Sequence, residues 1–263
     1  MSRPGLLLLG ALLLGITPAT VQGQTILNTE RFQLHEVDGF HMSADFSADG
    51  SQGNSRFLNT GASGIVGFRD ESNWTRVIFG GKFLSDAERS ILDNQYAQVR
   101  YSRLLSPRTR TFHFLQAQRN ETLRLKRRYL AGTGIRYRVA GGDRGRTRLD
   151  AGTGLMLEWE RLDPDAFDDP AVEFSVRTPR MSNLAVLSHE LEGGARLVNI
   201  LYVQPDVGDL QDIRVLNDLG LLVPITSSAR VTISAEWRYD SQPPGDLRRN
   251  DLSWSAGFGI DVR

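Results

Sequence analysis

The most restrictive feature of the sequence is a strict alternation of apolar and polar residues in its last two segments. Every second residue is apolar from Val231 to Tyr239, and the pattern repeats from Leu252 to Val262. Successive side chains of a β-strand point to opposite faces, so each segment has one apolar and one polar face. In a soluble sheet the apolar face covers a core, whereas in an outer membrane it contacts lipid and the polar face lines a lumen.

The same period-two pattern recurs along the chain and predicts roughly twelve strands. Links after even-numbered strands are short and rich in turn formers, while the longest link, residues 162–180, follows an odd-numbered strand. A soluble sandwich has no reason to sort its loops by parity, so the sequence predicts an all-β, antiparallel up-and-down transmembrane β-barrel of about 12 strands. The predicted strands are approximately 37–48, 56–69, 74–84, 92–104, 109–119, 126–140, 146–161, 181–191, 195–205, 211–224, 229–240 and 251–263.

The N-terminus predicts export. A short positive start precedes an apolar run at residues 6–16 and small residues at 19–24, which is the layout of a secretory signal peptide. An apolar run of this length is too short to cross about 30 Å of hydrocarbon as a helix. We therefore predict a signal peptide at residues 1–23, an N-terminal periplasmic segment at 24–36 and an outer-membrane β-barrel at 37–263.

Composition excludes several other classes of protein. Lys+Arg 31 balances Asp+Glu 31, so no net charge favours nucleic acid as a partner. Cysteine is absent, which disfavours a small module held together by disulfides. No apolar stretch after the N-terminal run is long enough for a transmembrane helix. The remaining expectation is a protein of the outer membrane, in contact with outer-membrane lipid and lipopolysaccharide and inserted by the outer-membrane assembly machinery.

Charged residues on the polar side of the strands are the candidate lining of the lumen. Buried charges need partners or water. Mixed signs permit either a cross-strand ion-pair network that plugs a narrow barrel or a hydrated pore, and strand number does not decide between them. The candidates are Arg136, Arg138, Arg148, Asp150, Glu158, Glu160, Arg214, Asp218, Glu236 and Arg238.

Aromatic residues near strand ends suggest girdles at the level of the lipid headgroups. The competing interpretation places them at the margins of a soluble core. The girdle candidates are Trp74, Tyr101, Tyr129, Trp159, Trp237 and Tyr239. By strand parity the basic run 124–128 lies near an extracellular rim, where its arginines would either bind lipopolysaccharide phosphates or remain solvated.

No pattern of residues predicts catalysis or a cofactor. Ser188 and His189 are neighbours in a strand and point to opposite faces, so they cannot form a nucleophile and base pair directly. Pairing of His113 or His189 with a serine on another strand stays open. The acidic residues at 163–169 are interpreted as a solvated loop rather than a cation site, and no metal-ligand spacing appears. We predict no enzyme activity, no metal and no cofactor.

Two stretches resemble a known family. RYLAGTGIRY at residues 128–137 and the Tyr-Asp-Ser-Gln-Pro-Pro turn at 239–244 resemble the YdiY-like, salt-induced outer-membrane proteins, a bacterial family of unassigned function. The resemblance implies an outer-membrane β-barrel over residues 53–262, a link to salt or envelope stress, and no catalytic residues to carry over. One departure is the end of the chain, Ile260-Asp-Val-Arg263, where such barrels usually carry an aromatic residue used in assembly.

The functional prediction is therefore a structural or passively permeable outer-membrane barrel, either a small pore or a plugged barrel. Two alternatives from other classes stay open. One is a lipid-acting hydrolase at the outer-membrane surface, and the other is a soluble periplasmic β-sandwich that binds a ligand.

Overall fold

The computed structural model describes Asn28, Glu30 and residues 38–51, 57–86, 90–121, 123–141, 145–167, 173–245 and 247–262. The predicted signal peptide lies outside the described residues. Of the predicted periplasmic segment 24–36, only Asn28 and Glu30 are described. None of the described residues belongs to a helix with the length and apolarity needed to traverse a bilayer.

The described chain is almost entirely β-structure, in which every paired strand runs antiparallel to its neighbour. Two short 3₁₀ turns, Pro164–Ala166 and Glu192–Gly194, interrupt the connections. The strands are β1 (Gly39–Ser51), β2 (Phe57–Arg69), β3 (Asn73–Asp86), β4 (Ser90–Ser106), β5 (Thr109–Asn120), β6 (Leu125–Ala140), β7 (Thr147–Leu162), β8 (Ser175–Met181), β9 (Asn183–Glu190), β10 (Arg196–Pro205), β11 (Ile213–Pro224), β12 (Ala229–Asp240) and β13 (Asn250–Val262).

The sheet closes on itself as a barrel, because β1 pairs with β13 as well as with β2. The strands β8 and β9 share one position in the ring. Both pair with β7, and the N–H of Ser182 between them donates to the carbonyl of Gly154 at 2.8 Å. The thirteen strands thus fill twelve positions, which confirms the predicted antiparallel barrel. A single closed sheet is not two packed sheets, so the β-sandwich alternative is wrong.

The eighth strand begins earlier than the predicted range 181–191. Strand structure begins at Ser175, within the stretch that the sequence assigns to the longest loop. The outward-facing residues there are Arg177 and Pro179, which break the apolar alternation on which the prediction depends. The register of β8 against β7 is nevertheless continuous from Leu155 to Arg161.

Connections of different length lie at opposite ends of the barrel. The three longest, residues 163–174, 206–212 and 241–249, all lie at one end, which we call the long-loop end. The other, short-turn end carries connections such as 70–72 and 107–108. In the first of these turns Asp70 accepts hydrogen bonds from the backbone N–H groups of Ser72 and Asn73. These bonds hold the pKa of the Asp70 carboxyl below its ordinary value.

The outside of the barrel is apolar around its whole circumference. An apolar patch that surrounds a protein is far larger than a soluble monomer exposes, and is typical of contact with lipid. Each of the twelve positions carries at least one exposed large apolar side chain, for example Phe40, Phe68, Phe79, Val99, Leu115, Ile135, Leu155, Leu187, Leu197, Leu219, Ile233 and Trp254.

The inside combines polar and apolar regions. Across β9, β10 and β11 the inner face is a packed apolar cluster that contains Ile200, Tyr202 and Leu216. Most of the remaining interior is charged or amide-bearing. Between β6 and β7 the backbones approach closely at Gly134 and Gly154, because a Cβ on Gly154 would lie 2.3 Å from the carbonyl oxygen of Thr133.

Candidate functional site

The ten charged residues predicted to line the lumen all lie on the inner face of the wall. Five of them are buried: Arg136, Asp150, Glu158, Arg214 and Asp218. The others, Arg138, Arg148, Glu160, Glu236 and Arg238, are half-buried. The structure brings seven of the ten together with further charged groups into two ion-pair clusters. Of the remaining three, Asp218 accepts a hydrogen bond from Asn28, and Glu236 pairs with Arg238, its neighbour on the same strand face, at 2.8 Å. Another interior ion pair joins β12 to β1, the two strands that flank β13. In this pair Arg230 binds Asp45 at 2.6 Å.

The first cluster, which we call the short-turn cluster, lies near the short-turn end of β3, β4, β6 and β7. Asp150 is the carboxylate that the strands contribute to this cluster. It binds Arg136 at 3.0 Å and Arg148 at 2.8 Å. Arg138 lies 3.8 Å from the same carboxylate. The cluster consists of Arg76, Arg100, Arg136, Arg138, Arg148, Asp150 and Glu30.

Glu30 is the unexpected member of this cluster, because it precedes the first strand. Its side chain is buried, with Oε1 accepting from Arg100 Nη1 at 2.7 Å and Oε2 accepting from Arg136 Nη1. Two residues earlier, Asn28 Nδ2 donates to Asp218 on β11. The strands β4 and β11 lie six positions apart in a ring of twelve. Asn28 and Glu30 therefore contact opposite walls from inside the ring, whereas the periplasmic segment 24–36 stays a prediction for the other residues of that range.

The electrostatics of Glu30 follow from this burial among cations. Burial alone would raise the pKa of the Glu30 carboxyl, but the guanidinium groups of Arg136, Arg100 and Arg76 lower it to about 2. The carboxylate is therefore ionised at any physiological pH.

Arg76 completes the positive side of the cluster. Its guanidinium is buried, lies 3.7 Å from the centre of the Trp74 ring, and donates from Nη2 to Ser102 Oγ at 3.3 Å. Its Nε and Nη1 have no hydrogen-bond acceptor among the described residues. Strand parity places Arg76 and Arg100 on the inner face, so the alternation in β3 and β4 contained a signal that the sequence prediction did not use.

The second cluster, which we call the long-loop cluster, lies near the other end of the barrel. Glu158 is its centre, because it binds Arg128 and Arg214 and lies 3.6 Å from Arg180. Arg214 also binds Glu160 at 3.0 Å. The cluster consists of Arg128, Arg180, Arg214, Glu158, Glu160, Asp212 and Asp240.

On one side of the barrel, a cavity of about 1400 Å³ is lined in part by inner-face residues of β1, β2 and β4, among them Ser43, Ile65 and Tyr96. Between the clusters, the described side chains of β4 to β10 leave little space. A cavity of about 30 Å³ remains there, which is room for about one water molecule. Glutamine amides and apolar side chains surround it; Gln98 Nε2 donates to Gln116 Oε1 at 2.8 Å across the neighbouring strands β4 and β5. The lining residues include Gln98, Phe112, Gln116, Leu130, Met156 and Tyr202.

The aromatic candidates divide into two groups. Tyr101, Tyr129 and Trp237 are exposed on the outer face, while Trp159 and Tyr239 are half-buried on the same face. Trp74 differs, because only 3% of its surface is exposed and it packs inside against Arg76 and His41. The girdle prediction is therefore wrong for Trp74, whose ring is used to stack on an internal guanidinium.

Residues of the basic run 124–128 lie on both faces of the barrel wall. Arg128 points inward and is fully buried against Glu158, so it cannot bind lipopolysaccharide. Arg127 is exposed on the outer face and pairs directly with Arg161 on β7. Arg177, the cross-strand partner of Trp159, is exposed beside them. We call Arg127, Arg161 and Arg177 the rim patch.

The histidines do not form a catalytic pair with serine among the described hydrogen bonds. His113 Nδ1 lies 2.9 Å from Thr133 Oγ1, and His189 Nδ1 lies 2.8 Å from Thr147 Oγ1. Residues 38–51, 57–86 and the later described ranges contain no cluster of three metal-ligating side chains. Asp168 and Asp169 of the acidic loop lie outside the described residues.

The barrel shares its general course with solved membrane proteins at low similarity. The NanC porin is 10% identical with a TM-score of 0.47, over 84% of this chain and 97% of the porin. The translocator domain of the autotransporter NalP from Neisseria meningitidis is 11% identical with a TM-score of 0.48, over 86% and 89%. The KdgM porin is 7% identical with a TM-score of 0.45, over 85% and 99%. Similarities of this size do not bear on function.

At the level of sequence, no curated protein matches the chain. A family model described as "Protein of unknown function, DUF481" matches residues 44–262, which is nearly the whole barrel. The YdiY-like proteins that the two sequence motifs resemble form a family of this kind, so the resemblance is confirmed. The chain belongs to the DUF481 family of proteins of unknown function.

Proposed function

We propose that this protein is an outer-membrane barrel with a closed, charged lumen, which serves a structural role or permits only restricted passive permeation. The observation that supports a membrane location is the apolar surface around all twelve positions of a closed sheet. A closed barrel satisfies its backbone hydrogen bonds internally, as hydrocarbon requires. Export and insertion by the outer-membrane assembly machinery belong to the same proposal.

The closed lumen is supported by the two ion-pair clusters and by the small space between them. An ion-pair cluster lies near each end of the barrel, and the larger cavity of about 1400 Å³ lies to one side of them, beside β1 to β4. The interior between the clusters has a cavity of about 30 Å³. A hydrated pore needs a continuous column of water, whereas this cavity holds about one molecule. Of the two outcomes that the sequence left open, we favour the plugged barrel over the conducting pore.

Planar-bilayer recording tests this proposal. Purified protein that has inserted, as shown by protection of its strands from protease, should give no steady conductance at any salt concentration. Steady channels in the majority of insertions would contradict a closed lumen. Failure of the protein to insert into lipid at all would contradict the membrane location instead.

We further propose lipopolysaccharide as a partner of the rim patch. Arg127 and Arg161 are directly opposed across two strands, and like charges in that position destabilise a sheet unless an anion lies between them. Tyr129 and Trp159 form the next cross-strand pair along the same two strands, which suits the boundary between headgroups and acyl chains. Phosphates of the lipid are the matching anions, since guanidinium groups bind phosphate through two hydrogen bonds.

A pair of charge-neutralising substitutions tests the lipid partner. The double variant Arg127→Gln and Arg161→Gln should bind lipopolysaccharide in micelles about tenfold more weakly than the wild type, because it loses two guanidinium–phosphate contacts. A tenfold change in affinity corresponds to roughly 1.4 kcal/mol of binding free energy. Arg103→Gln is the matched control, since Arg103 is exposed on the outer face at the short-turn end. Equal loss in both variants would indicate general charge attraction and contradict a specific site.

The resemblance to salt-induced proteins extends the proposal to physiology. A barrel of this kind would support the envelope when external salt rises. A strain that lacks the gene should then grow more slowly than its parent at high salt and equally well at low salt. Equal growth under both conditions would contradict this part of the proposal.

A further inference from the structure

Glu30 is bound inside the barrel in the way that a protein binds a carboxylate ligand. Each of its two carboxylate oxygens accepts from a different arginine, Arg100 on β4 and Arg136 on β6. The contacts are far apart in sequence, and Glu30 itself belongs to no strand. The pocket that receives it is thus built entirely by the wall, and its occupant comes from outside the wall.

Aromatic rings hold two of the arginines in place. The guanidinium carbon of Arg100 lies 4.9 Å from the centre of the Phe112 ring, and that of Arg76 lies 3.7 Å from the Trp74 ring. Stacking on a ring fixes the plane of a guanidinium and leaves its N–H groups directed outward from the ring edge. The donors are therefore oriented by the wall, not by Glu30.

The charges of the pocket show that it has capacity for an anion. Among the described residues the short-turn cluster contains five arginines and two carboxylates. Arg76 is buried, and its Nε and Nη1 lack an acceptor within the described chain. A buried guanidinium with unused donors is costly, and an anion is the group that relieves the cost.

We propose that Arg76, Arg100 and Arg136 form a binding site for the carboxylate of a small solute, and that Glu30 occupies this site in the resting barrel. The solute carries a planar carboxylate on a short aliphatic stem, as the glutamate side chain does. Binding of the solute releases Glu30 from the wall. The site takes up solute from the short-turn end, because the cluster lies within a few residues of that end of β3, β6 and β7.

Acetate binding to the full mature chain in detergent micelles tests the site. Glu30→Gln removes the competing carboxylate while keeping the shape of the side chain. Calorimetric titration should show saturable acetate binding to this variant, with a dissociation constant at least about tenfold below that of the wild type. Propionamide, which has no charge, should not bind, and sulfate should bind more weakly than acetate.

Matched variants separate the site from a change in overall charge. Glu121→Gln also removes one negative charge, but from the long-loop rim, and should titrate like the wild type. Adding Arg100→Gln to Glu30→Gln should abolish acetate binding. The proposal is wrong if the folded Glu30→Gln barrel binds acetate no better than the wild type, or if it binds sulfate and acetate equally.

A second measurement works in the presence of Glu30 and does not depend on the stability of the first variant. The sequence has no cysteine, so a nitroxide attached to an Asn28→Cys variant reports on the N-terminal segment alone. Acetate should increase the mobility of the label at high concentration, and propionamide should not. An unchanged spectrum up to the solubility limit of acetate would contradict release of Glu30. Both assays are independent of conductance, so they can fail without the proposed barrel function failing.

Discussion

Glu158 is the side chain on which most of the long-loop cluster depends. It binds Arg128 and Arg214 and lies near Arg180, all from different strands and all buried. Desolvation makes each of these guanidinium groups expensive to bury without a counter-charge. Three cations share this one carboxylate, although each has a further partner in Glu160, Asp212 or Asp240, so its removal affects all of them.

Neutralising this carboxylate should strongly destabilise the barrel. We expect Glu158→Gln to lower the free energy of unfolding by about 3 kcal/mol, the lower end of the usual cost of breaking a buried ion pair, because each arginine keeps a second carboxylate. Urea unfolding from lipid vesicles measures the change. Glu190→Gln, at an exposed position of the short-turn end, should stay within about 0.5 kcal/mol of the wild type. A similar loss of unfolding free energy in both variants would contradict a particular role of Glu158 in stability.

The Glu30 contact should have a defined dependence on pH. The pKa of Glu30 is lowered to about 2 from an ordinary value of 4.5, by Arg136, Arg100 and Arg76 acting against burial. The other charged groups of the short-turn cluster are Asp150, Arg138 and Arg148. A lowered pKa means that the stabilising contribution is complete above pH 4.5 and is lost as the pH falls toward 2.

The corresponding measurement is the difference in unfolding free energy between the wild type and Glu30→Gln across pH. This difference should be constant from neutral pH down to about 5 and should shrink below that value. A difference that already falls between pH 7 and 5 would mean that Glu30 is not ionised among the arginines as described.

At the scale of elements, the close contact of β6 and β7 depends on two facing glycines. Gly154→Ala places a Cβ 2.3 Å from the Thr133 carbonyl oxygen and 2.8 Å from the Gly134 Cα, and both neighbours are backbone atoms that cannot easily move. We expect a loss of about 1–3 kcal/mol in unfolding free energy. Gly220→Ala is the matched control on an inner face, since its nearest neighbour is a leucine methyl at 3.7 Å. The control should be close to neutral in the same urea assay.

Alternation predicted the strands wherever outward residues contact a uniformly apolar environment. It identified twelve positions and the inner face of all ten charged candidates. It failed at β8, because outward residues near the long-loop end, such as Arg177, need not be apolar. It also failed for Trp74, where an apolar residue on the inner face stacks on Arg76. Period-two patterns predict which face of the sheet a side chain lies on, but they do not predict which groups it contacts there.

The position of Glu30 could not be predicted from periodicity at all. Its partners are 70 and 106 residues away in sequence, and it lies outside any strand. The apolar inner face of β9 to β11 could not be predicted from periodicity either, because residues such as Ile200 and Leu201 make both faces of β10 apolar. Local patterns define the wall, whereas the contents of the lumen depend on contacts across it.

At the scale of the whole molecule, the outer surface distinguishes a membrane barrel from a soluble one. Leu115 lies near the middle of β5, points outward and is 65% exposed. Leu115→Arg should cost about 2–4 kcal/mol if this surface lies in lipid, since arginine is most costly at the bilayer midplane. Leu105→Arg, near the short-turn rim, should cost about 0–1 kcal/mol. In a soluble barrel both substitutions would be neutral, so equal and small effects in vesicles would contradict the membrane location.

The contacts of Asn28 and Glu30 also have a mechanical consequence. A ring of twelve strands has no rigid frame across its diameter, so lateral pressure in a bilayer can flatten its cross-section into an ellipse. Asn28 is attached to β11 and Glu30 to β4 and β6, so this short piece of chain acts as a tie between facing walls. Release of Glu30 by a carboxylate would remove one of the contacts that cross the lumen, and we expect the barrel to become easier to deform.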